Sequence, residues 1–314
     1  MKTIAQTYHY FTDLLEQIYE KSPLQRKKIQ NYLATRDEPY FKAAEEFAKE
    51  YIAYLNRHDI PINYVVDAYL KLCQDALKCQ KYFMKTGRYP LDLASEVYDA
   101  LYNDKKTMQS HMIGLAVSQF LWPSHYEMHT LFGAFLHSHA NQINSYLEIG
   151  PGHGLFLSKA MDRLSSDTTF TAVDISPISI EISQSLVNFL RPDCRTITYH
   201  TQDMLEMDLS VRYDFITMGE VLEHVNFPDK LLIKLRDLLS PNGRSFISTC
   251  VNAPSIDHVY HFKTIDEIRM LVESCGLDII EERILPVDNV PMEQIISQNL
   301  TINWCAIIKR HGDA

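Results

Sequence analysis

The glycine-rich turn at residues 150–154, Gly-Pro-Gly-His-Gly, constrains the fold of this chain more than any other feature, because it concentrates three of its 10 glycines. An apolar, strand-like run over residues 145–149 precedes it, and a helical pattern runs from residue 155 to about residue 164. Glycine adopts positive φ and has no Cβ, so a ligand can approach the main chain closely. A strand, a glycine turn and a helix in this order predict an α/β sheet that cradles a nucleotide-like ligand.

The spacing of the glycines separates two classes of nucleotide-binding protein. Dinucleotide-binding folds use Gly-x-Gly-x-x-Gly, whereas Gly150, Gly152 and Gly154 follow Glu148 at alternate positions. The pattern Glu-x-Gly-x-Gly-x-Gly resembles the first motif of the Rossmann-like S-adenosylmethionine-dependent methyltransferases. The resemblance implies that Glu148 and the three glycines hold the methionine part of S-adenosylmethionine. The same spacing disfavours a nicotinamide-dependent oxidoreductase.

An acidic residue ends the second apolar run, where a Rossmann-type fold needs one. Residues 170–173 predict a short strand, and Asp174 follows it about 20 residues beyond the glycine turn. Acids at this position accept hydrogen bonds from ribose hydroxyls, so Asp174 is the candidate for binding the ribose. Its neighbour Ile175 is a further candidate for binding the cofactor. Taken alone, an aspartate ahead of Ser-Pro could equally cap a helix.

Two further strand ends carry residues that the resemblance explains. Residues 196–200 predict a third strand leading to Asp203 and Met204, which in this family hold the adenine through a carboxylate and an apolar neighbour. Residues 213–218 predict a fourth strand leading to Glu220, which would border the methyl-transfer cleft. Open α/β sheets bind their ligands at the carboxyl ends of the strands, where all these residues would lie.

The segment after the fourth strand supplies candidates for a catalytic base. Residues 219–225, Gly-Glu-Val-Leu-Glu-His-Val, resemble a stretch common in small-molecule methyltransferases such as those of ubiquinone biosynthesis. A base is needed only when the acceptor atom is protonated, and it then accelerates transfer by about 10²–10⁴. The candidates are Glu223, His224 and His261, the last of which precedes Phe-Lys as a histidine often does in this family. His261 could instead cap the helix that starts near residue 265.

The remaining pattern predicts a Rossmann-like α/β fold with a seven-stranded, mostly parallel sheet and flanking helices. The further predicted helices cover residues 231–239, 264–275 and 292–297, and the further strands cover residues 245–251, 277–285 and 301–309. The resemblance extends from residue 145 to about residue 311. It implies that the last two strands pair antiparallel at the edge of the sheet.

Residues 1–140 are a different kind of sequence, nearly free of glycine and apolar at helical spacing. Residues 11–18, Phe-x-x-Leu-Leu-x-x-Ile, show the pattern of an amphipathic helix, and several later segments repeat it. We therefore predict an all-α domain over residues 1–140 and an S-adenosylmethionine-binding methyltransferase domain over residues 141–314. By resemblance to the helical additions of natural-product methyltransferases, the first would act as a lid over the active site, form a homodimer interface, or do both.

Aromatic and imidazole groups gather where the two predicted domains meet. Trp122, His125 and Tyr126 lie around Pro123, close to the entrance of the first strand, and are candidates for a wall that faces the substrate. His258, after the fifth strand, is a fourth substrate candidate. The aromatic rings could instead pack the two domains together.

Histidines repeat at short spacing but predict no metal. His125 and His129 share a helical face, and His258 and His261 follow the fifth strand. Zinc or iron needs three or four convergent ligands, and no carboxylate spacing completes a set. The methyl donor also brings its own sulfonium leaving group, so the family does not generally require a metal.

Charge and composition limit the kinds of partner and the cellular location that we expect. The net charge is -10, and the only dense basic run is residues 26–28, whereas nucleic-acid binding depends on neutralising phosphates. Six scattered cysteines without a Cys-x-x-Cys pair favour reduced thiols, as in the cytoplasm. The chain shows neither a signal-like start nor 18 consecutive apolar residues, so we expect a cytoplasmic protein with no membrane partner.

These observations together predict a methyltransferase with S-adenosylmethionine as donor and S-adenosylhomocysteine as product. The acceptor would be an oxygen or nitrogen atom of a small metabolite, as in natural-product biosynthesis. An alternative from another class is a non-catalytic nucleotide-binding scaffold or regulatory subunit that presents its helical half to a partner.

Overall fold

A computed structural model describes residues 8–192, 197–287 and 290–313 of the chain. Cys194 and Thr196, the predicted first residue of the third strand, lie outside these ranges. The N-terminal helices are α1 (His9–Lys21), α2 (Pro23–Leu33), α3 (Glu38–Arg57), α4 (Ile62–Thr86), α5 (Ala94–Val97), α6 (Lys105–Leu121) and α7 (Pro123–His139). The later helices are α8 (Leu155–Arg163), α9 (Pro177–Leu190), α10 (Pro228–Leu238), α11 (Ile265–Ser274) and α12 (Met292–Ser297).

The helix ends of the N-terminal half follow from local sequence. Ser22 accepts a hydrogen bond from the N–H of Gln25 and stands before a proline, so α2 begins there. Asp37 caps α3 in the same way, with its carboxylate accepting from the N–H of Tyr40. Gly87 ends α4 in the left-handed conformation that favours glycine. The predicted all-helical character of this half is confirmed for the described residues.

A seven-stranded sheet forms the C-terminal half. Its strands are β1 (Ser145–Ile149), β2 (Thr169–Asp174), β3 (Ile197–Thr201), β4 (Tyr213–Gly219), β5 (Leu239–Val251), β6 (Leu277–Pro286) and β7 (Ile302–Arg310). They lie in the order β3-β2-β1-β4-β5-β7-β6. The first five pair in parallel, and β7 runs antiparallel to both β5 and β6. The predicted seven-stranded sheet with an antiparallel edge is therefore confirmed.

The fifth strand differs from its prediction at its start. It begins at Leu239 rather than at residue 245, so the expected turn sequence Ser-Pro-Asn-Gly lies inside the extended segment. Asn242 has a positive φ of 62°, as a turn residue would, and the β4–β5 register shifts between Tyr213 and Phe215. The turn signal therefore marks an irregularity within the strand and not a separate loop.

Alternate strand residues fill two different layers of the core. Leu147, Ile216 and Ile247 pack in the layer formed with α10 and α11, whereas their neighbours Phe215 and Phe246 pack in the layer formed with α7 and α8. Successive side chains of a strand point to opposite faces, so both faces of the sheet are covered by helices.

The helical half and the sheet half share a core. Leu155 of α8 and Leu186 of α9 are buried in the cluster built by the N-terminal helices. Helix α7 packs directly on the sheet, so it is a structural part of the layer that covers β1, β4 and β5. The two halves are therefore packed tightly against each other. No helix among the described residues is long and apolar enough to cross a membrane.

Candidate active site

A cavity of about 930 Å³ opens at the carboxyl ends of the parallel strands. Its lining comes from the ends of β1, β2, β4 and β5 on one side and from α4, α6 and α7 on the other. This is where open α/β sheets bind ligands, and the volume lies within the range of about 300–1,000 Å³ that is typical of ligand sites. The helical half therefore supplies one wall of the cavity.

The glycine turn borders the cavity and leads into α8. Gly150 has a φ of 67°, and a Cβ at this position would lie only 2.8 Å from Cγ2 of Val221. Gly152, with a φ of 50°, also lines the cavity. Gly154 does not: its φ is 80°, and a Cβ there would lie 3.1 Å from the backbone of Ser183 in α9. Its absence of a side chain allows α8 and α9 to approach each other, a packing role and not a ligand contact.

Glu148 lines the cavity and is 2% exposed. Its Oε2 accepts a hydrogen bond from the Tyr146 hydroxyl at 2.5 Å. Burial raises the pKa of Glu148 to about 8. A cationic group of a ligand in this position would donate a strong, desolvated hydrogen bond to the Glu148 carboxylate.

Asp174 lines the cavity, and its carboxylate also holds the turn that leads into α9. The N-cap of α9 is Ser176, so the helix-cap interpretation is wrong for Asp174 itself. Its Oδ1 accepts from the N–H of Ser176 at 2.8 Å, and its Oδ2 accepts from the Ser179 hydroxyl at 2.6 Å. Each carboxylate oxygen retains a second lone pair for a ligand. Ile175 is 47% exposed and lines the same part of the cavity.

Asp203, Met204 and Glu220 complete the set of predicted cofactor residues. Asp203 accepts from the N–H of Leu205 at 2.9 Å, and Met204 is buried beside it. Glu220 has a positive φ of 52°, and its N–H donates to Oγ of Ser248 at 3.0 Å. All predicted cofactor residues except Gly154 line one cavity, although they are spread over four strand ends.

The predicted substrate residues divide into two groups. Trp122, His125 and His258 line the cavity. Tyr126 does not: its ring packs edge-on against Tyr40, with centroids 4.8 Å apart, and contributes to the helical core. The alternative of aromatic packing therefore describes Tyr126.

Only one of the three predicted catalytic residues lines the cavity. His224 lines the cavity. Glu223 is fully buried behind it, with Oε2 accepting from the Thr249 hydroxyl at 2.7 Å. His261 lies outside the lining, where its Nε2 is 2.7 Å from Oδ1 of Asn252 and its ring packs against Tyr89. The position of His261 makes it an anchor of the loop after β5.

The sequence patterns did not predict three residues of the site: Tyr102, His111 and Asp257. His111 of α6 lies 3.3 Å through Nε2 from Oδ2 of Asp257, and the Tyr102 hydroxyl lies 3.2 Å from Nδ1 of His224. Burial by itself raises the pKa of Asp257, but His224 and His111 hold that pKa well below its usual range. The available signal in the sequence was the imidazole of His111 directly before the apolar run of residues 112–117. In the structure, residues 111–114 and 116–121 of this helix are buried.

The fold and the site together define a Rossmann-like methyltransferase architecture. The structure of the mitomycin 7-O-methyltransferase MmcR has a TM-score of 0.51 to this chain at 13% identity, covering 79% of this chain and 70% of that one. The structure of magnesium protoporphyrin IX methyltransferase from Synechocystis with bound S-adenosylmethionine also has a TM-score of 0.51, at 15% identity, covering 69% and 97% of the two chains. Both show the same fold.

Residues 125–282, half of the chain, match the family model described as a methyltransferase domain, and the chain belongs to this family. The mitochondrial ubiquinone biosynthesis O-methyltransferase of Schizosaccharomyces pombe is 36% identical over 103 residues, which are 33% of this chain and 36% of that protein. The corresponding protein of Candida albicans is 31% identical over 159 residues, 50% of this chain and 44% of that one. The chain thus spans less than half the length of these relatives.

Proposed function

We propose that this protein transfers the methyl group of S-adenosylmethionine to an oxygen or nitrogen atom of a small metabolite, as in natural-product biosynthesis. One observation carries the proposal: a single cavity joins the predicted cofactor residues to a cluster of histidines and an aspartate from both halves. The family match, the shared fold and the named methyltransferase relatives support it. A nucleotide-binding scaffold would have no use for such a cluster beside the cofactor cleft.

The cofactor would occupy the sheet side of the cavity. Glu148 and the backbone of Gly150 and Gly152 would hold its methionine part, and Asp174 with Ile175 its ribose. In the same arrangement, the adenine would lie at Asp203 and Met204 and the methyl group near Glu220. In-line transfer then depends mainly on holding the acceptor atom close to the methyl carbon and aligned with the breaking bond.

We assign the general base to His111, with Asp257 as its positioning residue. Asp257 is 4% exposed, and its carboxylate accepts from the Ser255 hydroxyl at 2.6 Å as well as lying 3.3 Å from Nε2 of His111. An ionised carboxylate there holds the proton on Nε2, so Nδ1 of His111 is left to accept the proton of an acceptor hydroxyl. Trp122, His125 and His258 would form the remaining substrate wall.

A direct test combines binding and turnover. Calorimetric titration should show binding of S-adenosylmethionine and S-adenosylhomocysteine but not of NAD, and a panel of phenols, catechols and amines should yield a methylated product detected by mass. His111→Asn should lower kcat by about 10²–10⁴ for a protonated acceptor while the Kd for S-adenosylhomocysteine stays within twofold. The matched control is His137→Asn, at an exposed position of α7. Binding of NAD alone would reject the proposal, and full activity of His111→Asn would reject the base.

We also propose a cellular location, a set of partners and an oligomeric state for the enzyme. The five described cysteines are free, as expected in the reducing cytoplasm. The net charge of -10 argues against a nucleic-acid partner, and we propose no membrane partner. We further propose that the helical half acts as a lid and forms a homodimer, which sedimentation of the full chain tests: a monomer at micromolar concentration would remove the dimer.

A further inference from the structure

We propose that His125 determines substrate specificity by accepting a hydrogen bond from a second hydroxyl or N–H group of the methyl acceptor. The acceptor then carries two such groups at opposite ends of an apolar body. One end is methylated beside His111, and the other stays free at His125. The assignment of the methylated end rests on the proposed function, whereas recognition of the free end can be tested without it.

The hydrogen bonds of Ser118 fix the tautomer of His125. The Ser118 hydroxyl lies 2.6 Å from the carbonyl oxygen of Leu115, which can only accept, so the hydroxyl proton is used in that bond. Oγ of Ser118 must therefore accept from Nδ1 of His125, which lies 2.8 Å away. A neutral imidazole with its proton on Nδ1 keeps a lone pair on Nε2.

The lone pair of His125 is available to a ligand. The residue is 8% exposed and lines the cavity, and within the described part of the chain Nε2 has no hydrogen-bond partner. Burial lowers the pKa of His125 to about 4, so near neutral pH the imidazole is uncharged and Nε2 accepts. A ligand hydroxyl or N–H satisfies this buried acceptor, whereas a carboxylate has no proton to donate to it.

Helix α6 sets the separation between the base and the recognising imidazole. His111 and Ser118 are seven residues apart, so they lie on the same side of α6 and about 10 Å apart along its axis. His125 is hydrogen-bonded to Ser118 and is therefore held at that distance from His111. Burial lowers the pKa of His153 to about 3, and His125 and His111 contribute to the shift, so the glycine turn lies near both.

The wall between the two imidazoles is apolar. Met112 and Leu115 of α6 line the cavity between His111 and Ser118. Trp122 lines it beside His125, with the two ring centroids 4.8 Å apart and the ring planes inclined at 55°. An extended apolar body, such as two fused or linked aromatic rings, suits this wall, and a donor group at each end suits the imidazoles.

Two pairs of rigid probes test this arrangement. 4,4′-Dihydroxybiphenyl and 2,6-dihydroxynaphthalene carry a hydroxyl at each end, whereas 4-phenylphenol and 2-naphthol each lack one of the two. Calorimetric titration of the full chain, with and without S-adenosylhomocysteine, gives the ratio of the Kd values within each pair. The parent should bind the dihydroxy compound of at least one pair about tenfold or more tightly, because the analogue leaves a buried acceptor unpaired.

Variants assign this preference to one side chain. His125→Phe should reduce the ratio of Kd values to within about twofold of one, whereas His137→Phe, at an exposed position of α7, should leave the ratio unchanged. Ser118→Ala removes the partner of Nδ1, so it should weaken the preference severalfold while binding of the monohydroxy probes stays the same. Ser118→Ala retains the imidazole and decides the question if His125→Phe does not fold.

Nitrogen NMR of the histidine-labelled parent reads the tautomer directly. The spectrum should show His125 protonated on Nδ1 alone, and the signal of Nε2 should shift when a dihydroxy probe binds. The proposal is overturned by a protonated Nε2, by a parent without preference in either pair, or by an equal preference in the parent and in both variants.

Binding of S-adenosylhomocysteine to the same samples separates this proposal from the proposed function. Binding of S-adenosylhomocysteine without a preference that depends on His125 rejects only the recognition site. A preference that depends on His125, without binding of S-adenosylhomocysteine, rejects only the methyltransferase.

Discussion

Burial determines the charge of Glu148, and its effect on stability has a definite pH dependence. The pKa of Glu148 is raised by burial from 4.5 to about 8, so the folded state prefers the protonated form. The stability that this preference provides is complete below about pH 4.5 and is lost as the pH rises through about 8. Glu148→Gln cannot ionise, so its advantage in the free energy of unfolding should grow from near zero at pH 4 to about 5 kcal/mol above pH 8.

Urea denaturation of Glu148→Gln and the parent at several pH values measures this difference. The control is Glu206→Gln, at an exposed position of the turn after β3, which should show no comparable trend. A stability difference that does not change with pH would contradict the raised pKa of Glu148.

Glu148→Gln should also bind S-adenosylmethionine more weakly, because a carboxylate suited to a cationic ligand is lost.

Single residues of the site were predictable where the chain's topology alone places them. Glu148 and Asp174 each lie at the end of a short apolar strand, and parallel strands bring such ends together. His111 and Asp257 lie 146 positions apart in the sequence, one in a buried helix and the other in a loop, and only the packing of the helical half joins them. Local pattern carries no information about such a distant contact.

At the scale of elements, Gly154 decides whether α8 can start where it does. Alanine there would combine an unfavourable φ of 80° with a Cβ 3.1 Å from the backbone of Ser183. Gly87 is the matched control, because its φ is 68° and the described residues place no heavy atom within 4 Å of an added Cβ. Gly87→Ala should lose about 1 kcal/mol, and Gly154→Ala at least about 1 kcal/mol more.

Thermal and urea denaturation of the two glycine variants separate backbone strain from packing. Equal losses of stability in the two variants would show that α9 moves to accommodate the added methyl group and that φ alone makes glycine necessary.

Most elements of the sheet half were predicted to within a few residues, because their apolar runs are bounded by turn residues. The start of β5 was not, since Asn242 takes its turn conformation without ending the strand.

At the scale of the whole molecule, the two predicted domains share enough core to behave as one. Leu155 and Leu186 of the sheet half are buried among the N-terminal helices, and the Tyr54 hydroxyl lies 3.2 Å from Oγ of Ser185. The boundary at residue 140 also leaves α7, which packs on the sheet, with the helical half. The division into domains over residues 1–140 and 141–314 therefore stays a prediction. Whether each part folds independently is a separate question, which a measurement of unfolding answers.

The shared core makes unfolding cooperative across both halves. Exposing the helical half would also expose Leu155 and Leu186, so neither half should retain its structure after the other is lost. Differential scanning calorimetry should give one transition, with equal calorimetric and van't Hoff enthalpies. Leu186→Ala, which removes a buried side chain at the junction, should lower the midpoint of that transition without splitting it. Two resolved transitions in the parent chain would show that the helical half is an independently stable domain.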